Sequence, residues 1–359
     1  MATNCLTLCF LLICLLPLAS ASNPNHREHH PKHVEAIYVF GDSLYDSGND
    51  IHIKTNATAK FLPFGIDFGG KPTGRCTNGK TVVDYIAILL GLPFVPPYLG
   101  LTDHQRDKIK TGINYAAAGS GILPETCPSC LALDIQIELF NRTVTNNLPK
   151  MFKNQAQLAR HLSKSLFVFN TGVNDYGHNS QKASKDPGAF ALNLLNEFSI
   201  RLQKLYSIGA RKYLVNNIPP AGCFPSSAAR MKPRGKCDEK KNKMITLYNR
   251  RLPTLLNQLT SQLPGFVFVH SDLYKFLLEM RRNANKYGIL YTWEPCCPNN
   301  VDGDLSCHPN SVPCKDRNAH LFFDIHPSQI TNYIFVGCCF NESTICRPLS
   351  LKQFVEGQF

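Results

Sequence analysis

The stretch Val34-Glu35-Ala36-Ile37-Tyr38-Val39-Phe40-Gly41-Asp42-Ser43-Leu44-Tyr45-Asp46-Ser47-Gly48-Asn49 decides the fold. Residues 34–40 are a short apolar run dense in β-branched and aromatic side chains, bounded by a glycine, and they read as a strand. Further short runs follow at 113–117, which is weaker, and at 166–170, 212–217 and 266–270. Between them lie longer amphipathic segments at 82–90, 155–162, 189–207, 241–263 and 272–282. Strands alternating with helices build βαβ units, and such units require a parallel sheet covered on both faces. No linker divides the array, so a single domain over residues 35–347 is expected, with the Cys-, Pro- and Asn-rich loop 294–320 as a decoration and 348–359 as a tail.

Composition agrees with a folded domain. The chain has 359 residues, 43% of them hydrophobic and 18% charged, which is too apolar for a disordered protein and long enough to bury a large core. The 23 glycines and 24 prolines follow no period, which excludes collagen, and no repeat of solenoid length is visible. Residues 1–21 carry an apolar stretch followed by Ala19-Ser20-Ala21, the pattern of a secretory signal peptide with its cleavage site. A polar, His-rich linker covers 22–34, its last residue opening the first strand. After the signal no apolar run is long enough to span a bilayer.

Beyond the signal, twelve of the 15 cysteines remain, an even number that allows up to six disulfides in an oxidising compartment. The vicinal pairs Cys296-Cys297 and Cys338-Cys339 are expected to bridge to other partners, because adjacent residues bond only with strain. Sequons at Asn56, Asn141 and Asn341 suit a secreted glycoprotein. The formal charge of +12 lacks the basic, aromatic-interleaved stripe of a nucleic-acid binder, and fits adsorption to an anionic extracellular matrix or simple solubility.

In open α/β sheets, sites form beyond the carboxyl ends of the strands. The first strand is followed by Gly41-Asp42-Ser43, the weak one by Ala118-Gly119-Ser120-Gly121, and the run at 166–170 by Gly172-Val173-Asn174-Asp175. Phe322-Phe323-Asp324-Ile325-His326-Pro327 opens the last helix. Together these hold the parts of acyl transfer. A serine hydroxyl becomes a nucleophile when an imidazole takes its proton, and the tetrahedral oxyanion needs preorganised donors. Backbone N–H groups of Ser43 and Gly119 and the Asn174 amide are candidates for that role. Taken alone, Ser43, Gly119 and Asn174 also fit turn, cap or packing positions. Asp42, Asp46 and Asp175 read as hydrogen-bond anchors.

These residues resemble the plant form of the GDSL esterase/lipase family, the SGNH hydrolases. Residues 40–49 match its first block, Gly119 its second and Asn174 its third. The likeness extends over residues 35–347 and includes Pro72-Thr73-Gly74-Arg75 with Asn78-Gly79-Lys80, Ile218-Pro219-Pro220-Ala221-Gly222-Cys223, and Cys296-Cys297. The resemblance implies a flavodoxin-like three-layer α/β/α sandwich and a secreted carboxylic ester hydrolase or lipase. It makes Ser43 the nucleophile, His326 the base, Asp324 its supporting acid, and Ser43, Gly119 and Asn174 the oxyanion hole. It implies no metal and no cofactor, and as partner a small-molecule or polymer-borne ester. The G-x-S-x-G elbow of ordinary α/β-hydrolases is absent.

One departure matters. The family spaces its acid and base as Asp-x-x-His, whereas this chain has Asp324-Ile325-His326. Either the loop reshapes, or a backbone carbonyl orients His326, or turnover falls, leaving a binding protein or an acyltransferase. A rival motif, Gly74-Arg75-Cys76-Thr77-Asn78-Gly79-Lys80-Thr81, satisfies the P-loop expression, but Pro and Gly interrupt the strand that a P-loop needs upstream. Cys127-Pro128-Ser129-Cys130 has no second matched pair for zinc and no preceding βαβ unit for redox chemistry, so a structural disulfide is expected.

Overall fold

A computed structural model describes residues 34–53, 59–298, 305–342 and 344–358. The signal segment, nearly all of the linker and Asn56 therefore lie outside the described residues. Five strands form one sheet in the order β1 (Ile37–Gly41), β2 (Leu166–Asn170), β3 (Lys212–Asn216), β4 (Val267–Ser271) and β5 (Cys346–Arg347). The first four run parallel, and β5 closes the far edge with a two-residue antiparallel pairing.

Alternate side chains of each strand enter two separate cores. Tyr38, Phe40, Phe167, Phe169, Tyr213 and Val215 face one. Ile37, Val39, Leu166, Val168, Leu214 and Val269 face the other. On the first face Phe40, Phe169 and Tyr213 stack in sequence, with ring centroids 5.2 and 6.0 Å apart. Each such ring removed from water contributes roughly 1.5–3 kcal/mol. Helices cover both faces, which accounts for strands that read as continuous apolar runs. They are α1 (Val82–Leu89), α2 (Leu133–Arg142), α3 (Gln155–Lys164), α4 (Val173–His178), α5 (Pro187–Ile208), α6 (Glu239–Asn249), α7 (Leu252–Gln262), α8 (Leu273–Arg282), α9 (Gln329–Asn341) and α10 (Leu351–Val355). No helix among the described residues is long and apolar enough to cross a membrane.

Several expectations change. The segment expected as one helix over 241–263 is two, α6 and α7. Pro253 lacks the N–H and clashes with the carbonyl four residues back, that of Asn249, where α6 ends. Residues 113–117 run parallel to β1, with Val39 N–H donating to Ile113 O and Tyr115 N–H to Val39 O, yet they form only isolated bridges. Asn114 turns its Oδ1 back onto the Ala116 N–H at 2.9 Å, so its own side chain competes with the ladder. Leu351, Phe354 and Val355 of α10 are buried in the second core, so the C-terminal stretch packs on the domain.

Among the described residues five disulfides form, where up to six were allowed: Cys127–Cys130, Cys223–Cys237, Cys296–Cys314, Cys297–Cys307 and Cys339–Cys346. Cys76 and Cys338 remain free and buried, held in different apolar clusters, so they have no route to each other. Both halves of Cys296-Cys297 bridge outward as expected, while only one half of Cys338-Cys339 does.

Candidate active site

Segment 113–117, β1 and β2 lie side by side, although β1 comes first in the chain. The connection leaving β1 runs to segment 113–117 on one side and the connection leaving β2 runs to β3 on the other, so the two diverge, and in open α/β sheets that divergence places a site at the carboxyl ends of the two strands. The three exits are level. Gly41 is in register with Asn170, and Ala117 N–H donates to Gly41 O at 3.1 Å. Gly41 has φ +140°, and a Cβ there would lie 1.9 Å from Asn170 O, so only glycine lets the strands close above it. Gln136 of α2 brackets this glycine, accepting from its N–H and donating to its carbonyl, both at 2.8 Å.

Beyond Gly41 the chain turns so that Ser43 is partly exposed while Asp42 beneath it is fully buried. Ser43 Oγ lies 2.9 Å from Nε2 of His326. His326 Nδ1 lies 2.9 Å from Asp324 Oδ1, and the same oxygen accepts the His326 backbone N–H at 2.8 Å. The shortened spacing is thus accommodated by an Asx-type turn, in which an aspartate bonds the backbone two residues on. The Phe323 N–H donates to His326 O at 2.9 Å, and Phe322 bridges Pro327, so the turn is closed from both sides. With Nδ1–H donating to Asp324, Nε2 is left as the acceptor for the Ser43 hydroxyl.

Burial pushes His326 toward the neutral form, but the nearby Asp324 carboxylate outweighs it, with smaller help from Asp42 and Asp50, and the imidazole pKa rises above its ordinary value. Burial also pushes the Asp42 carboxyl up to about 7, held back by the Leu44 N–H and the Asn170 amide. Asp42 Oδ1 accepts from both of those donors, whereas Oδ2 has no partner among the described residues.

Around the candidate oxyanion donors the frame is dense. Asp46 accepts the N–H groups of Gly48, Asn49, Asp50 and Ala118, the last at 3.1 Å, and so ties the segment bearing Gly119 to the Ser43 loop. Asn49 Nδ2 donates to Asn114 O and Ala116 O on the same segment. Asn174, in the first turn of α4, donates to Ser120 O at 2.9 Å, which brings it beside Gly119. Asp175 accepts from Ile122 N, Leu123 N and the Thr126 hydroxyl. Asp46 and Asp175 are anchors, as expected. Among the described residues, the N–H groups of Ser43 and Gly119 donate to no other group of the protein. Ser43, Gly119, Asn174 and His326 are partly exposed, while their neighbours Asp42, Ala118, Asp175 and Asp324 are buried.

Residues that the sequence reading quoted without assigning them a role hold the histidine loop. Thr77 donates its hydroxyl to Pro327 O at 3.0 Å, and Asn78 Oδ1 accepts the Gln329 N–H at 2.9 Å. Arg75 is anchored on Asp84 of α1 by two bonds of 2.8 Å and reaches Ser47 O in the nucleophile loop at 3.0 Å. The segment that mimics a P-loop is thus a brace between serine and histidine, entered by no strand. Cys296 N–H and Cys297 N–H donate to Phe322 O and Phe323 O, so two disulfides stand directly behind the turn. Of the remaining sequons, Asn141 lies in α2 and Asn341 ends α9; Thr143, the hydroxyl residue of the former, is buried and accepts from Tyr115 OH at 2.9 Å.

The family profile described as GDSL-like Lipase/Acylhydrolase matches residues 37–330. GDSL esterase/lipase 7 of Arabidopsis thaliana is 39% identical over 363 residues, covering 96% of this chain and 99% of that relative. GDSL esterase/lipase At2g04020 of the same plant is 39% identical over 322 residues, covering 87% of this chain and 86% of its own length. GDSL esterase/lipase At5g08460 is 38% identical over 336 residues, covering 89% and 86%. With the parallel sheet, the residues gathered at its carboxyl end and these matches in hand, the chain belongs to the GDSL lipase/acylhydrolase family.

Proposed function

We propose that this protein is a secreted serine ester hydrolase working through an acyl-enzyme. Ser43 Oγ attacks the ester carbonyl carbon while His326 Nε2 takes the hydroxyl proton, and Asp324 stabilises the imidazolium. The oxyanion receives hydrogen bonds from the N–H groups of Ser43 and Gly119 and from Asn174 Nδ2. Nε2 then returns the proton to the departing alkoxide, and an alcohol leaves. Water attacks the acyl group with His326 again as base, and collapse releases the carboxylic acid and restores Ser43.

The observation that carries this reading is the unbroken line from Ser43 Oγ to Nε2 and from Nδ1 to Asp324, 2.9 Å at each step. The 2.9 Å contact of Asp324 with His326 Nδ1 supports this reading over the binding-protein or acyltransferase alternative, which rests on the shortened Asp324-Ile325-His326 spacing. The five disulfides and the apolar segment ahead of Ala19-Ser20-Ala21 support secretion, with glycans on Asn56, Asn141 and Asn341. A charge of +12 supports retention on an anionic matrix, which is read by salt-dependent elution from a polyuronate column. The test of function is hydrolysis of a p-nitrophenyl ester panel of graded acyl length by the purified glycoprotein. At least one ester is turned over by the wild type and none by Ser43→Ala; equal rates in the two proteins contradict the proposal.

A further inference from the structure

We infer that the Cys127–Cys130 disulfide is a positioning element of the oxyanion hole. The inference rests on the reading that Gly119 and Asn174 supply donors to that hole. Gly119 has φ +79°, and a Cβ built on it would stand 2.8 Å from Cys130 Sγ and 3.7 Å from Cys127 Sγ. Both sulfurs of the bridge are therefore seated against the backbone whose N–H faces the oxyanion, with glycine required by the closeness as well as by the dihedral.

The residues flanking this bridge, Thr126 and Leu131, also bear on the second donor. Ser120, whose carbonyl fixes Asn174 Nδ2, donates its hydroxyl to Leu131 O, directly after Cys130, at 2.6 Å. Thr126, directly before Cys127, donates to Asp175, the neighbour of Asn174, at 2.6 Å. Leu131 O also accepts from Gln136 Nε2, the amide that brackets Gly41 below the nucleophile. The bridge thus stands between the two arms that set Gly119 and Asn174 relative to Ser43.

Its contribution to global stability is expected to be the smallest of the five, since the loop entropy a disulfide removes from the unfolded chain grows with the logarithm of the loop it closes. Here the separation is 3 residues, against 7, 10, 14 and 18 for the others. Cys130 is buried, but Cys127 is partly exposed between exposed Pro128 and Ser129 and the core, within reach of a small dithiol. Attack by that dithiol on Cys127 Sγ gives a mixed disulfide. Its second thiol then closes on the first, so two electrons and two protons pass to Cys127 and Cys130 while the reagent becomes a cyclic disulfide. The two sulfurs then separate from bonding to van der Waals distance, and the Gly119 backbone loses its fixed seat.

The experiment compares wild type, Cys127→Ser/Cys130→Ser, Asn174→Ala and the triple variant on one ester. Displacing donors rather than deleting one predicts a kcat lower by roughly 10- to 100-fold in the double cysteine variant, with KM within about twofold. The cysteine effect is expected to shrink in the Asn174→Ala background, because both changes act on one hole. A double cysteine variant with wild-type kcat, alongside an impaired Asn174→Ala, overturns the inference while leaving the hole assignment standing. Wild-type kcat in both overturns the hole assignment and the inference with it. If the double variant does not fold, dithiothreitol titration of the wild type decides. Activity must fall in step with alkylation of Cys127 and Cys130 read by peptide mass spectrometry, and return on reoxidation; loss that tracks another bridge contradicts the inference.

Discussion

The Ser43 half and the His326 half of the candidate site are built by different physics. Ser43, Gly119 and Asn174 leave adjacent parallel segments of one sheet, so main-chain register brings their segments level before side chains and the Cys127–Cys130 bridge fix their final placing. His326 and Asp324 sit on a loop that the sheet does not reach. That loop is held by an Asx-type turn, by Thr77 and Asn78 across the cleft, and by the Cys296–Cys314 and Cys297–Cys307 bridges. A backbone ladder tolerates side-chain change, whereas a side-chain clamp fails when one member is lost. The two halves should therefore respond differently to substitution.

The largest effect belongs to the sheet-edge half. Ser43→Ala should lower kcat by up to ~10⁶, as deletion of a serine-hydrolase nucleophile does, with the fold intact by circular dichroism. Next comes the loop half. Asp324→Asn keeps the turn's shape but leaves His326 free to adopt the wrong tautomer, and steady-state kinetics should show a loss of about 10⁴ in kcat. Asn174→Ala should cost about 10²–10³ in kcat at nearly constant KM, the signature of a donor felt in the transition state. Asn78→Ala touches no substrate, yet it releases the Gln329 N–H beside the histidine loop. A reduction in kcat of up to about 10² is expected, since small misplacements near a reacting group can cost that much.

The smallest effect sharpens the comparison by pH. His326 must be neutral to accept the Ser43 proton, and its pKa is raised despite burial because Asp324 stabilises the imidazolium. Activity is therefore lost as pH falls through a value above that of an ordinary histidine, and the acidic limb of kcat/KM reports it. In Asp324→Asn the residual activity should show that limb displaced to lower pH. An unmoved limb would assign the titration to another group, Asp42 being the nearest candidate.

The sequence made the sheet-edge half readable for a physical reason. Local β-propensity and the glycines after each run specify where strands stop, and a parallel sheet turns strand ends into a site without further information. The runs at 166–170 and 212–217 reappear almost unchanged as β2 and β3. The histidine half was less legible, because its shape arises from contacts between residues far apart in the chain. Asp324-Ile325-His326 looks defective by spacing, and only the turn closed by Phe323 and the Phe322–Pro327 bridge brings the carboxylate to the ring. Thr77 and Asn78 likewise act across some 250 positions. Their signal in sequence was a glycine-bounded motif with no strand before it, which excluded a phosphate cradle without saying what the motif held. Cys76 and Cys338 stayed free because parity of cysteines cannot report that two of them are buried in separate clusters.

The measurement that most directly tests the proposed relay is labelling of the folded protein with a fluorophosphonate, followed by peptide mapping. Only a serine whose proton can be taken is phosphonylated. Stoichiometric modification on Ser43 in the wild type, and severely slowed modification in Asp324→Asn, is the result expected. A wild-type protein that stays unmodified, or one modified equally fast with Asp324 replaced, would contradict the account.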